Sequence, residues 1–275
     1  MTSKTLIAGP WVGEFGWELF AWQAYVRSLS HEYDKTVVIC RQSSTALYQD
    51  FATQFIDVGE LNGLADSYYM YDVDMSVLLK EKMQTHTELI KDRTTLLIPR
   101  RLGNPPFTPC TLPLQLGTHR VTPEYITFGH TAPREYDYIF HIRNRQLRKE
   151  DNWSLESWKK LLLLLIEDGS TVACIGTPEE SSWIEGATDL RGHTLDNIFS
   201  IFHNARCIFG PSSGPMHLAS LCGTSHVVWS KEENRDRYDV NWNPHQTPVL
   251  FLSKYSWHPT AEYIFDSYKK WKGLK

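Results

Sequence analysis

The stretch Arg206 to Trp229, RCIFGPSSGPMHLASLCGTSHVVW, joins a short apolar run to a loop of small residues and then to a proline that suits a first helical turn. Cys207, Ile208 and Phe209 read as a buried strand, Gly210 to Gly214 as a tight turn, and the residues from Pro215 on as a helix followed by a second strand. A helix start carries partial positive charge and N–H groups without intrahelical partners. A phosphate set over Ser212, Ser213 and Gly214 is therefore held without a basic side chain. An ordinary strand-to-helix turn has the same composition, and the loop alone does not separate the two.

Two further loops carry reactive side chains. HIRNRQLRKEDNW follows an apolar run and sets Arg143, Arg145, Arg148 and Lys149 within seven residues, a density of cations able to neutralise a leaving diphosphate. A solvated basic turn is the competing reading, and it weighs least for Arg143, nearest the strand end. Near the start of the chain, GPWVGEFGWELF places Gly13 and Gly16 where backbone can approach a ligand, with Glu14 and Glu18 around a helix start. Either acid has the chemistry to take a proton from a hydroxyl nucleophile, and either equally has the chemistry to stabilise a helix N-terminus. Arg237, with Tyr238 and Trp242, lies in a loop whose aromatic and planar cationic groups suit a base or a sugar as well as plain packing. His141 reads as a core histidine at a strand end, and His217 as a brace for the Gly210 loop or a ligand contact.

The elements that must hold these loops follow an alternating pattern. Strands are expected at 5–8, 36–40, 95–98, 136–142, 171–175, around Cys207, at 225–229 and at 249–252. Helices are expected at 18–29, within 74–91, at 154–167, near Glu179, at 195–203, after Gly214 and at 260–272. Strand-helix alternation implies parallel sheets with right-handed crossovers, whose ligands sit beyond the carboxyl ends of the strands. The loops at Gly13, Arg143 and Gly210 all leave such ends. Pro, Thr and Gly gather between Gly103 and Pro133, which reads as irregular chain leading to a linker.

Composition narrows the classes. The chain of 275 residues suffices for two α/β domains, and a net charge of −4 gives no general pull toward nucleic acid or anionic membranes. Five cysteines, widely spaced and mostly in apolar runs, point to a reducing, cytoplasmic setting, and they form no zinc-type spacing. The N-terminal residues lack the pattern of a signal peptide, and the longest apolar run, 161–166, is too short to span a bilayer. Asp72 and Asp74 form a D-V-D pair that reads as helix capping, so no metal site is expected. A nicotinamide-type fingerprint is weak: the first loop is not G-x-G-x-x-G, and the second strand ends in Cys40-Arg41 rather than an acid.

GPSSGPMHLASLCGTSHVV resembles the GP-(D/S)-(S/T)-G-PMH-L-A-x-x-x-G-T-P-V-V motif of the heptosyltransferase family of GT-B glycosyltransferases, and the likeness runs mainly over residues 136–252. The resemblance implies an α/β, GT-B-like fold of two Rossmann-like domains with parallel sheets facing a central cleft. An acceptor-side domain would cover 1–130, with the tail helix 260–272 packing back on it, and a nucleotide-sugar domain 135–256. It also implies donor contacts from Ser212, Ser213, Gly214, Met216 and His217, aided by Arg148, Lys149 and Arg237, with Arg143 and an acid in catalysis. Ser212 stands where many members carry an acid, so that acid's role does not transfer. The family's R-x-G-x-x-G-D loop has its acid directly after the second glycine, where this chain has Trp17, leaving Glu14 or Glu18.

The expectation is therefore a glycosyltransferase that needs no cofactor or metal. It uses a nucleotide-diphosphate sugar as co-substrate and, on the resemblance alone, inverts the transferred centre. The acceptor expected is a surface glycan or lipid-linked sugar. A hydroxymethylated DNA base is an alternative prompted by local basic residues such as Arg100-Arg101. A non-catalytic nucleotide-sugar binder and a sugar-nucleotide epimerase are the remaining readings.

Overall fold

The computed structural model describes residues 3–59, 75–90, 93–99, 115–116, 119–120, 122–166 and 169–274. Asp72, Asp74, Arg100-Arg101 and most of the 103–121 stretch lie outside them. The chain divides into two units, Met1–Tyr125 and Ile126–Lys275.

The first unit is built on β1 (Thr5–Ala8), β2 (Lys35–Cys40), β3 (Gln54–Asp57) and β4 (Thr94–Leu97), all parallel and ordered β3-β2-β1-β4. The near-continuous apolar runs TLIA and KTVVIC are what a parallel strand covered on both faces requires. Between β1 and β2 the chain forms α1 (Phe15–Trp17), a π turn (Glu18–Trp22) and α2 (Gln23–Ser30). Helix α3 (Met75–Met83) contributes Leu79 and Met83 to a core with Ile7, Val37, Ile39 and Ile56. A two-stranded antiparallel pair, β5 (Gln115–Leu116) and β6 (His119–Arg120), follows.

The second unit contains β7 (Tyr138–Phe140), α4 (Leu155–Ile166), β8 (Val172–Cys174), β9 (Thr188–Asp189), α5 (Leu195–Asn204), β10 (Cys207–Pro211), α6 (Gly214–Leu221), β11 (His226–Trp229), β12 (Val249–Leu252) and α7 (Ala261–Lys272). Its sheet is parallel throughout and ordered β12-β11-β10-β7-β8-β9. Counted from β7, this is the doubly wound order in which the winding reverses between β7 and β10, so the carboxyl ends of these two strands open the crevice where such sheets bind ligands. Ser154 caps α4 as expected, its Oγ accepting the Ser157 N–H at 3.2 Å. Trp158, Leu161, Leu162 and Leu165 of that helix are buried, while Leu155 at the first turn is exposed.

Two expectations change here. Near Glu179 the chain makes a turn instead of a helix, and Ser181 forms a β-bridge with Arg143. The tail helix α7 was expected against the first domain, but it buries Ala261, Ile264 and Tyr268 in the second unit's core with Trp158 and Phe209. The 3–4 spacing of these residues gives α7 one apolar face, which α4 covers, and Lys160 pairs with Glu262 across the two helices. Among the described residues no helix is long and apolar enough to cross a membrane.

Candidate functional site

The carboxyl ends of β7 and β10 carry His141, Arg143, Ser212, Ser213 and Gly214, while Glu14 and Glu18 belong to the first unit. Gly210 lets the helix close on the strand, since a Cβ there would lie 2.6 Å from Met216 Sδ. The Met216 side chain is thus fully buried packing. The α6 hydrogen-bond ladder begins with His217 N–H on Ser213 O at 3.1 Å. Gly214 and Met216 N–H precede that ladder, and Pro215 has no N–H to offer.

The serine amides expected to grip phosphate are already engaged. Ser212 N–H donates to Trp229 O at 3.1 Å, and Ser213 N–H donates to Tyr238 Oη at 3.2 Å. Tyr238 in turn donates its own proton to Ser212 Oγ at 2.9 Å. The backbone donor left for an anion at the start of α6 is therefore the Gly214 N–H, since Met216 is fully buried. His217 is buried and stacks on Tyr238 with ring centroids 4.2 Å apart and on the Trp242 edge at 4.5 Å, so it braces the phenol that holds the loop. Burial, and next the nearby Arg237, hold the His217 imidazole neutral far below its ordinary range. Arg237 lies over the Trp242 ring at 5.4 Å.

From the β7 side, Arg143 is 7% exposed and turned toward the same loop, with Nη1 donating to Ser212 O across a long 3.4 Å and Nε donating to Asn152 Oδ1 at 3.3 Å. Its guanidinium lies 5.0 Å from the Trp257 ring and Nη2 is 3.7 Å from Asp151. Asn152 clamps the basic loop on both sides, accepting the Arg145 N–H and donating to Arg145 O at 2.8 Å. Arg148 and Lys149 stand exposed farther along, Arg148 in a left-handed conformation with φ 53°. Of the four cations in this loop, Arg143 is thus the one held against the Gly210 loop by the contacts above. His141 ends the strand, with Nδ1 2.9 Å from Ser213 Oγ, and burial, then Arg143 and Arg145, lower its pKa to about 3.

In the first unit, Glu18 is fully buried and saturated. Oε1 accepts from Tyr48 Oη at 2.7 Å, and Oε2 accepts from Arg41 Nη2 at 2.8 Å and Ser44 Oγ at 3.0 Å. Burial pushes its carboxyl up despite these partners. A hydroxyl nucleophile cannot reach such an acid. Glu18 instead fixes Arg41, whose Nη2 also donates to Gly13 O at 2.9 Å and so ties down the glycine loop. Glu14, with extended backbone at φ −61°, ψ 144° just before α1, is partly exposed and so is the more accessible of the two acids.

No protein-family model matches the sequence, and no curated protein matches it. Solved structures do match in fold. A family 9 glycosyl transferase from Veillonella parvula superposes with a TM-score of 0.63 at 12% identity, covering 98% of this chain and 96% of its own. The E. coli ADP-heptose lipopolysaccharide heptosyltransferase II gives 0.57 at 14% identity, covering 97% and 98%. E. coli heptosyltransferase WaaC, solved with ADP-2-deoxy-2-fluoro heptose, gives 0.58 at 12% identity, covering 98% and 99%. The chain thus has the α/β fold of the GT-B glycosyltransferases, and the likeness to heptosyltransferases extends over nearly its whole length.

Proposed function

We propose that the chain is a glycosyltransferase that moves a sugar from a nucleotide-diphosphate sugar to an acceptor hydroxyl, without a metal and with inversion. The observation that carries this reading is the meeting of two strand-end loops at the reversal point of the second sheet. The buried Arg143 and the Gly214 N–H at the start of α6 there make one anion-binding corner. In the reaction the acceptor oxygen attacks the anomeric carbon and passes its proton to Glu14 as the bond to the diphosphate oxygen breaks. The charge left on the diphosphate is met by Arg143 and by Gly214 N–H at the start of α6, which supply what a metal would otherwise supply. The acceptor is a surface glycan or lipid-linked sugar. ADP-sugars head the donors to be tried, because ADP-heptose names one of the structural neighbours and an ADP-heptose analogue was bound in another.

The test is release of nucleoside diphosphate from a panel of nucleotide sugars with glycan acceptors, with and without EDTA. Glu14→Gln is expected to lower kcat by roughly 10²- to 10⁴-fold with an unchanged melting temperature. A folded Glu14→Gln protein that turns over at the wild-type rate removes the assignment of the base. Loss of activity in EDTA removes the metal-independent mechanism, and failure of every nucleotide sugar to raise the melting temperature removes the donor site.

A further inference from the structure

His141 stands over the carboxyl end of β7. Its Nδ1 lies 2.9 Å from Ser213 Oγ on the β10 side, and its Cδ2 is turned to the loop after β8, where a Cβ added to Gly176 would lie 3.4 Å away. The distal edge of the ring, carrying Nε2, therefore points out of the strand into the crevice between the two loops. The residue is 7% exposed, and among the described residues its ring hydrogen-bonds through Nδ1 alone, to Ser213 Oγ.

The proton positions follow from the neighbours. Ser213 Oγ donates to Pro211 O at 3.0 Å, and a carbonyl oxygen can only accept, so the single hydroxyl proton is spent there. The 2.9 Å contact then requires Nδ1 to donate to Ser213 Oγ. A neutral imidazole with its proton on Nδ1 has a bare lone pair on Nε2. Burial and the two arginines beside it keep the ring neutral at any working pH. Arg143 and the Gly214 N–H near it are donors. Nε2 is an acceptor among them, and the diphosphate has no proton to offer it.

We propose that His141 Nε2 accepts a hydrogen bond from a donor hydroxyl next to the diphosphate, on the ribose or on the transferred sugar, and so selects polyhydroxylated donors at this site. The inference rests on the donor-site reading above and adds to it a residue that discriminates among phosphorylated ligands.

His141→Asn tests it, because the Asn amide can replace Nδ1–H toward Ser213 but offers nothing at the Nε2 position. His141→Gln can restore an acceptor there. Affinities are measured for inorganic pyrophosphate, for ADP, GDP, UDP and CDP with their 2′-deoxy and 3′-deoxy forms, and for nucleotide sugars of the same bases. His141→Asn is expected to bind pyrophosphate like the wild type and to lose about five- to tenfold on the hydroxyl-bearing ligand, the worth of one hydrogen bond. His141→Gln should recover part of that loss. If the ribose is the source, the loss appears with the ribonucleoside diphosphate and vanishes with one deoxy form; if the sugar is the source, it appears only with the nucleotide sugar. Equal loss of pyrophosphate and nucleotide, or no loss at all, overturns the assignment while leaving the donor site standing. Failure of the wild type to bind any of these probes overturns both. Nitrogen-15 spectra of the wild-type histidines give a readout that needs no variant: His141 should carry its proton on Nδ1, and a proton on Nε2 in the free protein overturns the proposal.

Discussion

Arg143 owes its position to three neighbours that fix the plane of its guanidinium: Ser212 O, Asn152 Oδ1 and the face of Trp257. A lysine carries the same charge but cannot hold a planar fork against all three. Arg143→Lys should therefore leave the melting temperature within a few degrees of wild type while lowering kcat about 10- to 100-fold, more than it raises KM for the donor, since the charge it meets develops in the transition state. Steady-state kinetics with donor varied at saturating acceptor decides it, and an unchanged kcat counts against Arg143 as the leaving-group cation. Arg143 was legible in the sequence because it directly follows an apolar strand. Tyr238 as the phenol that grips both serines was not, because the contact joins positions 25 and 26 residues apart with no spacing rule between them. His141 reads in sequence as a core histidine, and its contact with Ser213, 72 residues on, has no spacing rule that would have shown it. Glu14 and Glu18 are alike in composition, and the choice between them needs the tertiary partners Arg41, Ser44 and Tyr48 that close around Glu18.

At the scale of elements, the parallel strands were legible as short apolar runs, and β12 falls on the expected 249–252. Others were not. β3 (QFID) mixes polar and apolar residues at the sheet edge, and β9 is two exposed residues long, so neither carries a hydrophobic period to read. The joint between α6 and β11 shows how an element's stability depends on protonation. His226, fully buried at the start of β11, donates Nδ1–H to Thr224 O at 2.9 Å and faces Ser220 Oγ of α6 with Nε2 at 3.4 Å. Burial lowers its pKa from 6.5 to about 4. The unfolded chain binds this proton first as pH falls. The stability that neutral His226 contributes is thus fully present above about pH 6.5 and is lost as pH falls toward about 4, a total of about 3 kcal/mol. His226→Asn keeps a donor for Thr224 O but does not titrate. Urea unfolding between pH 6 and 4.5 should show the variant's stability falling less steeply than wild type, by about 1 kcal/mol per pH unit. Parallel slopes would mean that the buried ring charges without cost.

At the scale of the whole molecule, the two Rossmann-like units each possess a parallel sheet and an apolar core, and each corner of the proposed chemistry lies within one unit: Glu14 in the first, Arg143, His141 and the α6 start in the second. The destination of the tail helix decides which piece is self-sufficient. α7 places Ala261, Ile264 and Tyr268 in the second unit's core, with Trp271 packed partly against it. Burying side chains of this size is worth about 1.5–3 kcal/mol each, so the helix as a whole supplies several kcal/mol, a large share of the 5–15 kcal/mol typical of a domain. A fragment spanning 126–275 should therefore unfold cooperatively and bind pyrophosphate and nucleoside diphosphates with near wild-type affinity, yet transfer no sugar, because the base is absent. A fragment ending at residue 256 should not fold, since removing α7 strips cover from Trp158, Phe209 and Tyr138. Circular dichroism melts and calorimetric titration of the two fragments separate the cases. If 126–256 folds as well as 126–275, α7 is not part of the second core, and if 126–275 folds but binds no nucleotide, the donor corner needs residues of the first unit.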